Sequence, residues 1–405
     1  MGQRKILIIT NRVPYPLKDG GNIAMNAMID GYHRSGWQVY LLAMNTSRHH
    51  VKSEQLDKLY GHLHAFEAFS YDNDLKWMDI AKNFILSSQP EHAKRFYSTE
   101  FKEKIKDALA IFKPDVVQVE SVFLTTYLGA IKKYSHAVTV LRMHNIEYQI
   151  WQGLARRTKN YFKKLYLNSL AVRVRNYERA AWKQYDMLLP ITEKDAYLVQ
   201  RLEQVEDIVV APFSINMDDI KPPTGNERWV GYHLGAMDWL PNQQGVKWFI
   251  SKAWPLIHRA LPKFEFYFAG RKMPAEFSKM ADDGLYCMNE VEDADEFISD
   301  KKILIVPVLS GGGIRVKILE AMAAGKIIIT TSTGIKGIEA KPEEHYLRAH
   351  HPEDFLKAIK WCLENKQAAD AMAKNAQSLV TEKYEHRKVI QRVTDAIEDR
   401  LAMRE

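Results

Sequence analysis

A chain of 405 residues is too long for one ordinary hydrophobic core and suits two α/β domains of roughly 150–200 residues each. With 46% hydrophobic and 26% charged residues it is no disordered chain; its 57 basic against 50 acidic residues, a net +7 with pI near 9.0, point to anionic partners such as phosphates or an acidic membrane surface. Its two cysteines, Cys287 and Cys362, are far apart, so they suggest neither a disulfide framework nor a CxxC metal site and predict a reducing compartment.

No apolar run approaches the ~20 residues needed to span a bilayer. The chain opens on basic residues, but the apolar stretch behind them is too short for a secretory signal and runs into a turn. It therefore reads as a first strand over residues 5–10, and a cytoplasmic protein is expected. Ile6 stands where a myristoylation signal needs Ser or Thr. The loop 11–22, containing Gly20 and Gly21, leads into a helical pattern over 23–34. Strand, glycine-containing loop, helix is how a doubly wound fold makes a ligand crevice, but the loop lacks GxGxxG, which argues against a dinucleotide cofactor.

A second strand is predicted over 38–44. Residues 51–110 show mixed helical patterning with aromatics such as Trp77, Phe84 and Phe96, and their function is opaque. Residues 114–120 and 137–143 read as β-branched strands, the second ending at His144-Asn145-Ile146-Glu147. A histidine just beyond a strand's carboxyl end can donate to a sugar hydroxyl or a departing phosphate, or it can be structural. From Arg156 to Lys183, cations interleave with aromatic and leucine positions at helical spacing. Such a helix either lies on an anionic membrane surface or presents a solvated face. No nucleic-acid-binding motif accompanies these cations, so nucleic acid is not an expected partner.

Strands follow over 187–192 and 208–212, and turn composition over 213–225 marks a linker. A strand from 229 feeds a loop with Gly235, then a helix over 245–258. The strand 264–269 ends in Gly270-Arg271-Lys272, whose arginine offers a planar fork of donors to a phosphate. Asp293-Ala294-Asp295 has a spacing seen in metal sites, but an acidic helix start accounts for it better.

The most informative stretch runs from Ser310 to Lys326, between apolar strands at 303–309 and 327–331. Gly311-Gly312-Gly313 lets the backbone approach a ligand closely, and the helix that follows aims unpaired N–H groups and its positive dipole end into the turn. An anion suits that place. Arg315 and Lys317, read in the first helical turn, oppose the dipole and make sense beside a multiply charged phosphate. Glu320, inside an apolar segment, is an acceptor suited to paired sugar hydroxyls.

The string Gly311-Gly312-Gly313-Ile314-Arg315-Val316-Lys317-Ile318-Leu319-Glu320-Ala321-Met322-Ala323 resembles the nucleotide-sugar signature of retaining glycosyltransferases of the GT-B fold, family four. The resemblance covers nearly the whole chain, most strongly 235–337. It implies an α/β protein of two facing Rossmann-like domains with a cleft between them: an acceptor-side domain over 1–212, a linker over 213–225, a nucleotide-sugar domain over 226–383, and a last helix, 384–405, crossing back to the first domain. It implies that Glu320 holds the ribose, that Gly20, Gly21, Gly235, Arg271, Gly311, Gly312, Gly313, Ile314, Arg315 and Lys317 line the donor, and that His144 faces the donor sugar. Many members carry a second Glu at the position of Gly312, so this chain resembles a branch without it. The implied reaction transfers a sugar, with retention, from a nucleotide diphosphate sugar to a hydroxyl of a glycan or lipid-linked acceptor, without metal or cofactor. A 2-epimerase of the same architecture and a non-catalytic sugar-nucleotide binder are the alternatives.

Overall fold

The computed structural model describes residues 3–17, 20–47, 50–72, 94–221, 225–311 and 313–404. The chain divides into two compact units, one formed by Met1–Pro212 with Val389–Glu405 and the other by Phe213–Lys388.

The first unit is a six-stranded parallel sheet of β1 (Lys5–Thr10), β2 (Gln38–Thr46), β3 (Ala65–Tyr71), β4 (Val116–Glu120), β5 (Val138–Met143) and β6 (Met187–Pro190), in the order β3-β2-β1-β4-β5-β6. A parallel sheet is covered on both faces, and the period-2 alternation of a strand divides its residues between two cores. Leu7 and Ile9 join one cluster with Phe101, Ile105 and Leu170; Ile6 and Ile8 join the other with Met28, Tyr32, Ile390, Val393 and Ile397. The last helix, His386–Ala402, thus contributes its apolar stripe to this core, and Arg4 ties it down through Glu398 at 2.9 Å.

The second unit repeats the design with β7 (Arg228–Leu234), β8 (Phe266–Ala269), β9 (Leu285–Cys287), β10 (Lys301–Val306), β11 (Ile327–Thr330) and β12 (Leu347–Arg348), ordered β12-β11-β10-β7-β8-β9. In each sheet the order reverses beside the unit's first strand, at β1/β4 and β7/β10. Open α/β sheets bind ligands beyond the strand ends at such switch points.

Several elements differ from their sequence reading. Residues 51–110 contain β3, the helix Ser53–Tyr60 and most of the helix Thr99–Phe112, the latter capped by Ser98, whose side chain accepts from Phe101 N. Trp77 and Phe84 lie outside the described residues. Residues 208–212 form no regular strand but run beside β6, bridging Ile208 to Leu188, with Val209 N donating to Leu188 O at 3.0 Å and Ala211 N to Pro190 O at 2.8 Å. Within 213–225, Ile215 N donates to Tyr384 O and His386 N to Ile215 O, both at 2.8 Å, so this stretch begins as a bridged segment of the second unit. Residues 222–224 lie outside the described residues.

Candidate active site

In the second unit, β10 runs into the glycine turn, where Gly311 (φ 113°) and Gly313 (φ 81°) take left-handed conformations that a side chain would strain. Gly312 lies outside the described residues. The helix begins at Val316, so Arg315 is its N-cap residue and not part of its first turn. The Arg315 guanidinium folds back to donate to Gly313 O and stacks 4.9 Å from the Trp239 ring; Trp239 in turn packs against Gly311. Ile314 sits against the turn at Gly337.

Lys317 reaches towards β7. Its Nζ lies 3.2 Å from Asn242 Oδ1 and 3.4 Å from His233 Nε2. His233 is fully buried, and its Nδ1 donates to Ile305 O at 2.8 Å, so Nε2 is free to accept from the lysine. Burial and the neighbouring Lys317 hold His233 well below the usual histidine range, which keeps that ring neutral. Gly235 makes room for the arrangement: a Cβ there would stand 2.2 Å from Lys317 Nζ. Lys317 is half-buried, and burial and the nearby Arg315 bring its pKa down to about 7.

Arg271, the third predicted phosphate ligand, is ion-paired with Asp238 at 3.0 Å, which depresses the Asp238 carboxyl. Glu320 is an exposed residue of the helix, and its carboxyl is raised by desolvation and by Asp295. Asp293 caps the helix Ala294–Ser299, accepting from Asp295 N at 2.8 Å and Glu296 N at 3.0 Å. The Asp-x-Asp motif is therefore a helix start.

In the first unit, a cavity of about 460 Å³ opens at the switch point, its wall including Arg12, Gly21, Glu120, Phe123, His144 and Glu147. Gly20 and Gly21 begin the helix Gly20–Arg34, three residues earlier than the periodicity suggests, and Gly21 reaches the cavity wall. His144 follows β5 directly. Its Nε2 lies 2.7 Å from Oε2 of Glu120, a fully buried carboxylate at the end of β4. Gln118 Nε2 donates to the other Glu120 oxygen at 2.6 Å, Tyr32 Oη donates to Gln118 Oε1 at 2.6 Å, and Arg142, also fully buried, stands 3.6 Å from Glu120. Burial alone would raise the Glu120 carboxyl, but Arg142, His144 and Gln118 together hold it below its ordinary range.

A pair of carboxyls lies alongside. Glu178 accepts from the backbone N–H groups of Glu147 (2.8 Å) and Tyr148 (2.9 Å), capping the helix Glu147–Arg157 from the neighbouring helix Tyr161–Trp182. Part of Glu147 remains accessible on the cavity wall, yet burial pushes its carboxyl up to about 7 and that of Glu178 to about 8.

Sequence reasoning missed Glu120, Gln118, Tyr32, Arg142, His233, Asn242 and Glu178. One signal was present: in Val116-Val117-Gln118-Val119-Glu120 two polar residues alternate inside an apolar strand, which places both on one face where they need partners.

Residues 230–365 match the family model described as glycosyl transferases group 1. Over an aligned length of 408 positions the chain is 23% identical to an uncharacterized 44.6 kDa protein in the cps region of Klebsiella pneumoniae, covering 95% of this chain and 97% of that one. Among solved structures it is similar to sucrose-phosphate synthase from Thermosynechococcus elongatus (TM-score 0.66, 15% identity, 99% of this chain and 100% of the other). It is also similar to HepE of Anabaena in complex with UDP (TM-score 0.65, 11% identity, 98% and 100%). The fold is GT-B. The matched span 230–365 holds the second unit's site residues described above, from His233 to Gly337. Among the described residues, no helix is long and apolar enough to cross a membrane.

Proposed function

We propose that this GT-B protein is a glycosyltransferase that moves a sugar from a nucleotide diphosphate sugar to a hydroxyl of a glycan or lipid-linked acceptor, with retention, in the assembly of a cell-surface polysaccharide. The observation that carries this is the second unit's site: a glycine turn at a helix N-terminus, Lys317 held in the notch at Gly235, and an accessible Glu320 one turn on. The turn's N–H groups and Lys317 suit a diphosphate, and Glu320 suits the ribose hydroxyls. The UDP named with HepE and the cps region named for the Klebsiella relative support the donor class and the polysaccharide setting.

In this reading the bond from the anomeric carbon to the diphosphate breaks with its electron pair on the leaving phosphate. The acceptor oxygen bonds the same face of that carbon, and its proton passes to a phosphate oxygen. Charge growing on the diphosphate is met by Lys317, by the helix N-terminus and by Arg315, with Arg271 exchanging Asp238 for phosphate; no metal is called on. His144 and the first unit's cavity receive sugar hydroxyls.

Contact with an anionic membrane at its cytoplasmic face is part of the proposal. Tyr161 and Phe162 are 72% and 80% exposed at the start of a helix, beside the exposed Arg156, Arg157, Lys159, Lys163 and Lys164. Flotation with anionic vesicles should carry the protein up in low salt and lose it when Phe162 becomes Asp; flotation unaffected by either change would refute the contact.

The test of the main reading is calorimetric titration with UDP, GDP, ADP and their sugars, followed by acceptor assays in which the anomer of the product is read by NMR. One nucleotide should bind selectively, and Glu320→Ala should weaken it by roughly 1.5–3 kcal/mol. Unchanged affinity in a folded variant would remove Glu320 from the site. Turnover of the donor without acceptor would favour the epimerase, and binding without turnover the inactive binder.

A further inference from the structure

Every described partner of Glu120 is a donor. Gln118 presents its amide N–H because Tyr32 Oη occupies its oxygen, Arg142 has only N–H groups to offer, and the third partner is His144 Nε2. A carboxylate held ionised by these neighbours accepts and cannot donate. Nε2 therefore carries a hydrogen, and in the neutral ring Nδ1 keeps its lone pair. Nδ1 is the polar atom His144 has left to present to the cavity it lines.

We propose that Glu120 is a positioning residue that locks His144 in its Nε2–H form, so that the cavity offers a hydrogen-bond acceptor at Nδ1 and selects a hydroxyl donor there rather than an anionic oxygen. The tautomer follows from the Tyr32–Gln118–Glu120–His144 chain alone. Only the source of the hydroxyl, a sugar, rests on the proposed glycosyl transfer. The lock narrows the role open to a histidine at this position: while neutral it receives a hydroxyl's proton into a hydrogen bond, and it does not stabilise the leaving phosphate.

The experiment uses the full chain isotope-labelled at its histidine nitrogens, with the His144 signals identified by their loss in His144→Gln. In the neutral ring, Nε2 is expected to show the protonated and Nδ1 the unprotonated nitrogen signature. In Glu120→Gln, Gln118 and Arg142 hold the amide oxygen on their side and turn the NH2 towards His144. The ring should then switch to Nδ1–H, with kcat for transfer falling by roughly 10²–10⁴-fold while nucleotide affinity stays unchanged. Glu120→Asp should keep the wild-type tautomer and recover part of the rate.

A neutral wild-type ring protonated at Nδ1, a ring doubly protonated at all pH values, or no switch in a folded Glu120→Gln protein would overturn the proposal. If that variant does not fold, the wild-type spectrum decides. The expected tautomer in a protein that transfers no sugar would leave the lock standing and refute the transfer reading instead.

Discussion

Each unit brings a histidine to the carboxyl side of its sheet and fixes the ring with a group that can only accept, but the two rings face opposite chemistry. In the first unit the acceptor is the buried Glu120, which itself needs Arg142 and Gln118 to remain charged. In the second it is the backbone carbonyl of Ile305, and the free ring nitrogen of His233 turns to a lysine. The first site is a buried charge network that the fold must keep whole. The second is a cation kept poised by neutral partners, and its loss should disturb ligand binding before it disturbs the fold.

The largest expected effect tests that distinction. Glu120→Ala leaves Arg142 buried without its carboxylate, and breaking a buried pair from one side costs roughly 3–5 kcal/mol. Chemical denaturation should show a loss of that size. A loss below about 1 kcal/mol would mean that Arg142 finds water or another partner, and the first site would then be no more structural than the second.

Gly235→Ala probes the other side. The new methyl group would meet Lys317 Nζ at 2.2 Å and Asn242 Nδ2 at 2.9 Å, both ends of side chains that can move. The fold should survive while nucleotide affinity falls about tenfold, roughly 1.4 kcal/mol, as the ammonium is displaced. Gly270→Ala is the contrast, because its methyl would stand 1.8 Å from the Gly235 carbonyl oxygen, which cannot move so easily; there stability should fall as well. Calorimetry on both variants separates the two outcomes. Unchanged affinity in Gly235→Ala would detach Lys317 from the nucleotide.

The two sites were not equally legible in the sequence. The glycine turn, Lys317 and Glu320 lie within Gly311–Glu320, close enough along one loop and helix for spacing to place them. The first site is assembled from Tyr32, Gln118, Glu120, Arg142 and His144, which only the pairing of β1 with β4 and of β4 with β5 brings together. His144 was found because it follows a strand end; Glu120 ended its own strand and read as an ordinary boundary. β3 was missed for a related reason: it is an outer strand with Glu67 and Ser70 among its aromatics, so its apolar pattern is weak. Lys317 was found as a cation, but the first cause of its depressed pKa is burial beside His233, Asn242 and Gly235, none of which neighbours it in sequence; only the lesser cause, Arg315, does.

Buried carboxyls in the first unit predict a pH slope. The folded pKa values of Glu147, about 7, and Glu178, about 8, lie above the ordinary 4.5 because burial disfavours their charged forms. The folded protein therefore binds more protons than the unfolded chain between those values. The stability they contribute is complete below 4.5 and is lost as pH rises through about 7 and 8. Glu147→Gln, which stays neutral, should flatten part of that fall in denaturation midpoints measured across this range; an unaltered slope would assign it to other groups. Glu178→Gln is the poorer choice, since Glu178 uses both oxygens to cap a helix.

The smallest effect has the opposite sign and belongs to the second unit. Lys317 has a folded pKa of about 7 against an ordinary 10.5, so between these values the unfolded chain binds the extra proton and stability rises with pH. Below about 7 the buried ammonium is charged and its burial opposes folding. A diphosphate reverses the preference, because it favours the charged form. Nucleotide affinity should therefore fall as pH rises through about 7, where the stability of the free protein begins to rise, and binding near neutral pH should take up protons from the buffer. Lys317→Met fills the notch without a charge and should abolish both trends together. Calorimetry in buffers of different ionisation enthalpy reads the proton uptake directly. Equal uptake in the wild type and Lys317→Met would place the titrating group elsewhere and leave the second site, like the first, governed by its carboxylates.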